Sequence, residues 1–252
     1  MPPADERRQV LQTVLHVLYL IFNEGYTATS GSGLHRSDLS REAIRLVPLT
    51  HAAIPDDGEI AGLLALMLLT HARRPACTDT AGNLVPLPDQ DRSLWDPESI
   101  EEGVALITDA MSRTPLGPYQ LQAAIAALHC EASEYELTDW AQILALYHLL
   151  DGFVDNPMVT LNQVVAVAMV EGTDAGLDFL RSLEGDPRVV NHHRFAAVRA
   201  HLLEEAGHRQ AALEHYRLAA RLTTSLPERR YLESRAAAIT SVIFLDGNMS
   251  SE

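Results

Sequence analysis

Four junctions punctuate this chain and leave little choice of fold class. Asp96-Pro97, Gly117-Pro118, Asn156-Pro157 and Asp186-Pro187 each set a residue suited to helix capping before a proline. Proline at the first helical position costs nothing, because its missing N–H would have had no intrahelical partner. Elsewhere apolar residues recur every three or four positions, as in Val10, Leu11, Val14, Leu15, Leu18, Ile21 and Phe22, with Gly25 as a candidate carboxy-terminal cap. Alternation of the strand kind is almost missing. The pattern predicts an all-α chain, with helices near 5–24, 38–48, 57–74, 97–113, 118–132, 139–151, 157–170, 173–183, 187–206, 208–222 and 227–241.

The stretch 77–90 breaks the period. Ala81-Gly82-Asn83 stands between Thr78 and Val85 and predicts an irregular loop or a small hairpin. Gly31-Ser32-Gly33 predicts a second, shorter loop. Toward the end, Gly207, Ala212, Tyr216 and Ala219 follow the small-and-aromatic spacing of a tetratricopeptide unit, with Pro227 near the closing proline. Residues 157–186 have the same helix-turn-helix length with fewer of those positions, as a degenerate repeat would. A lone repeat cannot bury its apolar face, so these units must stack on the helices before them. The expectation is a tetratricopeptide-like helical-repeat array, with a helical domain over 1–153, repeats over 154–252, and a soft boundary between them.

Hydrophobic residues make up 47% and charged residues 21%, which excludes a disordered chain. Uninterrupted apolar runs such as Leu63 to Leu69 are far short of the roughly 20 residues a membrane-spanning helix needs. The amino terminus lacks the basic-then-apolar order of a secretory signal, so the expected location is the cytoplasm. Cys77 and Cys130 are expected to be free structural thiols. A formal net charge of −15 with no lysine excludes direct nucleic-acid binding, which needs clustered cations to displace counterions.

Three stretches place polar and aromatic groups where a plain packing surface would have none: 19–26, 89–96 and 117–129. In the first, Asn23 and Glu24 either contact a partner or bond a neighbouring helix end, and the second reading is preferred. Tyr19, Phe22 and Tyr26 read as core. In the second, Asp89, Gln90, Asp91, Arg92, Trp95 and Asp96 form either a recognition surface or an internal knot, with Asp96 capping the next helix and Arg92 paired to a carboxylate. In the third, Gln120 and Gln122 flank Leu121, so at most one faces the core. Tyr119, Gln122 and Ile125, or Gln122 and His129, share a face able to line a groove. Asn162 lies in the apolar run Val159 to Val170 and is expected to be buried and hydrogen-bonded. Asp139 and Trp140 read as cap and core beside Thr138.

Signals for catalysis are missing. His192, His193, His201 and His208 lack the spacing of a zinc helix, and there is no phosphate-binding glycine loop or nucleophile elbow. The expectation is a protein with no metal, no cofactor and no enzymatic activity.

Read together, Tyr19-Leu-Ile-Phe-Asn-Glu-Gly-Tyr26, Glu42-Ala-Ile-Arg-Leu46, Gly62 to Leu69 with Arg73-Arg74, Asp89-Gln-Asp-Arg92 with Trp95-Asp96, Gly117 to His129 and Thr138-Asp-Trp140 resemble one family. It is the carboxy-terminal extension of a subgroup of bacterial extracytoplasmic-function RNA polymerase sigma factors whose extension ends in tetratricopeptide-like repeats. The resemblance runs from about Leu11 to Arg235. It implies a regulatory protein-interaction domain controlling transcription initiation by its parent, with the promoter-binding domains or RNA polymerase as partners. The promoter-recognising helices of such a parent are not among these residues. Two other functions remain: a sensor in which a small-molecule ligand changes how the domain docks, and a free-standing helical-repeat adaptor.

Overall fold

The computed structural model describes residues 4–26, 37–54 and 56–249, with side chains described for all but a few near the ends of those segments. Gly31-Ser32-Gly33 and the Tyr26 side chain lie outside the described residues. Among the described residues there are eleven α-helices and no multi-residue strand: α1 Ala4–Tyr26, α2 Ser37–Ala53, α3 Gly58–Ala72, α4 Pro97–Arg113, α5 Pro118–Glu131, α6 Trp140–Leu150, α7 Pro157–Glu171, α8 Thr173–Arg181, α9 His193–Glu205, α10 Arg209–Leu222 and α11 Leu226–Met249. The chain is all-α. The excursion at 77–90 carries a short 3-10 turn at Leu87–Asp89, and a backbone bond from Val85 N–H to the Cys77 carbonyl at 2.9 Å draws its two arms together.

Three of the proline junctions open a helix as expected, at Pro97, Pro118 and Pro157. Asp96 accepts from the N–H groups of Glu98 and Ser99, and Asn156 from that of Met158. Asp186-Pro187 does not open a helix, and α9 begins at His193 instead. The physical reason is local: the Asp186 carboxylate takes both the backbone N–H and the guanidinium of Arg188, and Arg188 also reaches Asp155. That bonding holds the chain in turns, and His192 becomes the cap, its Nδ1 accepting from Arg194 N–H at 3.2 Å. Helix α2 continues through Pro48.

Two compact units divide the chain, the first running to Asp139 without Thr80–Leu84 and the second holding those five residues with the chain from Trp140 onward. Helix α6 therefore belongs to the second unit, ahead of the soft boundary expected near 153. In the first unit α3 is the axis. It is apolar on nearly every side, which makes it a buried helix rather than a surface one. Leu63, Leu64 and Met67 pack with Leu15, Leu18, Phe22, Ala43 and Val47 from α1 and α2. Its remaining face, with Ala65 and Leu69, packs with Ile107 of α4, Ala123 and Ala127 of α5, and Trp95. Both cysteines are buried, and neither forms a disulfide.

The second unit is a run of helical hairpins. One cluster joins Leu161, Val164, Leu180, Val189, Phe195 and Leu202. A second joins Ala200, Ala212, Tyr216, Ala219, Leu232 and Ile239. The buried Tyr216 hydroxyl donates to Glu204 at 2.8 Å, and Glu204 pairs with Arg235 at 2.7 Å, so a polar group inside the cluster is matched rather than stranded.

Candidate functional site

Helix α5 carries the third polar stretch, and both of its ends are held by residues from other elements. At its amino end the capping position is Gly117, which has no side chain to offer. Glu59 of α3 supplies the missing acceptor. Its carboxylate takes the N–H of Tyr119 at 3.1 and 3.2 Å and that of Gln120 at 3.1 Å. A methyl group at Gly117 would come within 2.4 Å of the Glu59 carboxyl carbon, so the glycine makes room for the cap. Burial raises the Glu59 pKa, while the two backbone donors pull against that rise.

Gln120 is fully buried beneath this contact. Its Nε2 donates to the Pro115 carbonyl at 2.8 Å, and its Oε1 accepts from Thr114 Oγ1 at 3.5 Å. The side chain thus ties the α4–α5 connection to α5. Gln122 is half-buried and donates to Pro118 of its own helix at 3.1 Å. One glutamine of the pair faces the core, within the limit set by their spacing.

At the carboxy end, Arg92 does the equivalent work. Its Nη1 donates to the carbonyls of His129 at 2.6 Å and Ala132 at 2.7 Å, which a helix end leaves without intrahelical partners. Its guanidinium lies 4.4 Å from the centroid of the Trp95 ring. Trp95 is buried among α3, α4 and α5 residues, and its indole N–H has no acceptor among the described residues. Beside them His129 is pushed down to about 3, by burial first and then by the charges of Arg73 and Arg92. The Cys130 thiol donates to the Leu69 carbonyl at 3.5 Å, and burial pushes its pKa up.

The 89–96 segment is therefore built as an internal knot. Asp91 accepts from the N–H and hydroxyl of Ser93, Asp96 caps α4, and Gln90 donates to the Val85 carbonyl at 3.1 Å. Asp89 stays exposed. One detail differs from expectation: Arg92 bonds carbonyls rather than a carboxylate, because the end of α5 presents two acceptors within its reach.

Tyr119 packs edge-on to Tyr19 at 5.6 Å, with burial raising its hydroxyl pKa, while His129 sits at the opposite end of the helix. Asn162 is exposed, contrary to expectation. The buried polar group of α7 is its neighbour Gln163, which donates to Asp151 at 3.0 Å. A one-residue step turns a side chain through about 100°, and a run apolar on all sides gives no phase by which to choose between them. Asn23 is exposed and Glu24 half-buried. Sequence reasoning missed Glu59; the signal was a capping position filled by glycine, which needs an acceptor from elsewhere. No group of three or more metal-ligating side chains occurs among the described residues, and His193 pairs with Glu228 at 3.0 Å.

Three surface features remain. Val10, Val14, Val17 and Leu20 are 58%, 40%, 48% and 52% exposed on α1. A cavity of about 410 Å³ is lined by Arg41, His71, Arg74, Pro75, Thr78 and Asp96. A groove of about 920 Å³ along α10 and α11 has Ala220 and Ala236 on its floor, with Arg217, Arg221 and Glu233 beside them.

The profile of a family of unknown function (DUF6596) matches residues 10–111, from α1 to the last turns of α4. That span includes the 89–96 knot and stops short of α5. The chain is 41% identical over 231 residues to an uncharacterized protein of Rhizobium meliloti (strain 1021), an alignment covering 92% of this chain and 54% of that protein. The chain thus spans about half the length of the curated relative it matches. No solved structure matches it.

Proposed function

We propose that this chain is the regulatory interaction domain of an extracytoplasmic-function sigma factor, and that its second unit is a tetratricopeptide-like array. The observation that supports docking most directly is the stripe Val10, Val14, Val17 and Leu20. Helix α1 already buries Leu15, Leu18 and Phe22 in the core, yet it presents a second apolar face outward. A row of large apolar side chains at helical spacing is a surface that a partner covers. The sequence resemblance names the promoter-binding domains of the parent as that partner. The repeat reading draws on Ala212, Tyr216 and Ala219, all buried at the small-and-aromatic positions of such a unit.

Substitution at the stripe tests the proposal better than substitution at Arg92 or Gln122, whose side chains serve α5 itself. In a full-length sigma-factor parent, Val14→Asp with Val17→Asp is expected to change transcription from the target promoter in the same direction as deletion of the whole extension. The isolated variant should keep its helical circular dichroism, since exposed sites usually shift stability by only about 0.5 kcal/mol. If both the truncated and the doubly substituted parent transcribe as the intact protein does, the regulatory reading is wrong and the free-standing adaptor gains.

A further inference from the structure

We propose that the cavity between α2, α3 and the Arg74–Ala76 turn is a binding site for a small molecule carrying a phosphate group. The inference does not rest on the sigma-factor reading. The cavity holds about 410 Å³, within the range of small-ligand sites and larger than one phosphate ion requires. Two arginines line it, Arg41 from α2 and Arg74 from the turn after α3, together with His71 and Thr78. The side chains of Arg41 and Arg74 make no hydrogen bond or ion pair among the described residues.

The chain carries 34 acidic against 19 basic residues, so an arginine has carboxylates to choose from. Arg45, Arg113, Arg181, Arg188, Arg199 and Arg235 all take one. Arg41 and Arg74 instead border a shared space. The planar guanidinium fork matches phosphate oxygens in pairs, and two forks from separate elements with a hydroxyl donor make a recognition set for a dianion. The one acid on the lining, Asp96, has its oxygens engaged by the N–H groups of Glu98 and Ser99 and the Ser99 hydroxyl. Its remaining charge weakens the site without filling it.

Calorimetric titration of the chain with inorganic phosphate and with pyrophosphate, at ionic strength fixed by sodium chloride, tests the proposal. Saturable one-to-one binding of at least one of them is expected, weakened about tenfold by Arg41→Ala or by Arg74→Ala, as befits loss of a charged hydrogen-bond donor, and lost in the double variant. Asp96→Asn keeps the cap on α4, because asparagine caps as well as aspartate, and is expected to tighten binding by removing a like charge. Arg113→Ala, at an exposed pair elsewhere on the same unit, should change nothing. Circular dichroism establishes that each variant is folded. The proposal is overturned if neither anion binds saturably, if the folded double variant binds as the parent does, or if Asp96→Asn weakens binding.

Discussion

His129 carries the clearest pH signature of any single residue. Burial, assisted by Arg73 and Arg92, pushes its folded pKa down to about 3, against about 6.5 for an unperturbed imidazole. As pH falls below about 6.5 the unfolded chain takes up a proton that the folded chain refuses. The stability contributed by neutral His129 is therefore complete above that value and is lost progressively as pH falls toward about 3. Wild type should lose more stability than His129→Gln between about pH 7 and about pH 4.5, with a slope difference approaching 1.4 kcal/mol per unit. Urea unfolding across that range measures it, and parallel curves for the two proteins would contradict the burial of His129. Glu59 works in the opposite sense, since its raised pKa favours the folded state at acid pH. The comparison with the glutamine variant cancels that contribution.

At the scale of elements, the approach of α3 to α5 depends on Gly62. A methyl group there would lie 2.6 Å from the backbone nitrogen of Gln120 and 2.9 Å from its Cα, and a helix backbone cannot step aside as a side chain does. Alanine is favoured over glycine within a helix by about 1 kcal/mol, but overpacking of a close contact costs about 1–3 kcal/mol and starts from a worse clash here. Gly62→Ala is expected to destabilise by about 1–3 kcal/mol net. Gly185→Ala, where an added Cβ meets nothing within 4 Å, should stay within about 0.5 kcal/mol of wild type. Chemical denaturation of both decides it; a neutral Gly62→Ala would mean that the two helices have slack to separate.

At the scale of the molecule, four core clusters each draw their residues from a single unit. Leu15, Leu63 and Met67, like Trp95, Ile107 and Ala123, lie before residue 139. Leu161, Phe195, Ala212 and Tyr216 lie after it. A core assembled within one unit needs nothing outside it to exclude water. Residues 140–249 expressed alone are therefore expected to be helical and to melt cooperatively. A fragment without a cooperative transition by circular dichroism would show that the repeats depend on the helices before them, as the stacking argument from sequence had it.

Periodicity alone carried the all-α class, the number of helices and most of their ends, because 3.6-residue spacing and proline-capped starts are properties of neighbouring residues. It failed where partners are distant in sequence. Asp186-Pro187 resembles a helix start until Arg188 reaches back to Asp155. Asn162 and Gln163 are interchangeable in an all-apolar run until packing picks the phase. The polar stretches were legible as special, but whether they faced outward or inward was not. Glu59 lies some sixty positions before the amides it caps, and Arg92 some forty before the carbonyls it takes. The cavity around Arg41 and Arg74 was equally invisible in the chain, since it exists only where two helices and a turn converge. Local spacing fixes which helices form; which unsatisfied group meets which partner is decided only when those helices pack.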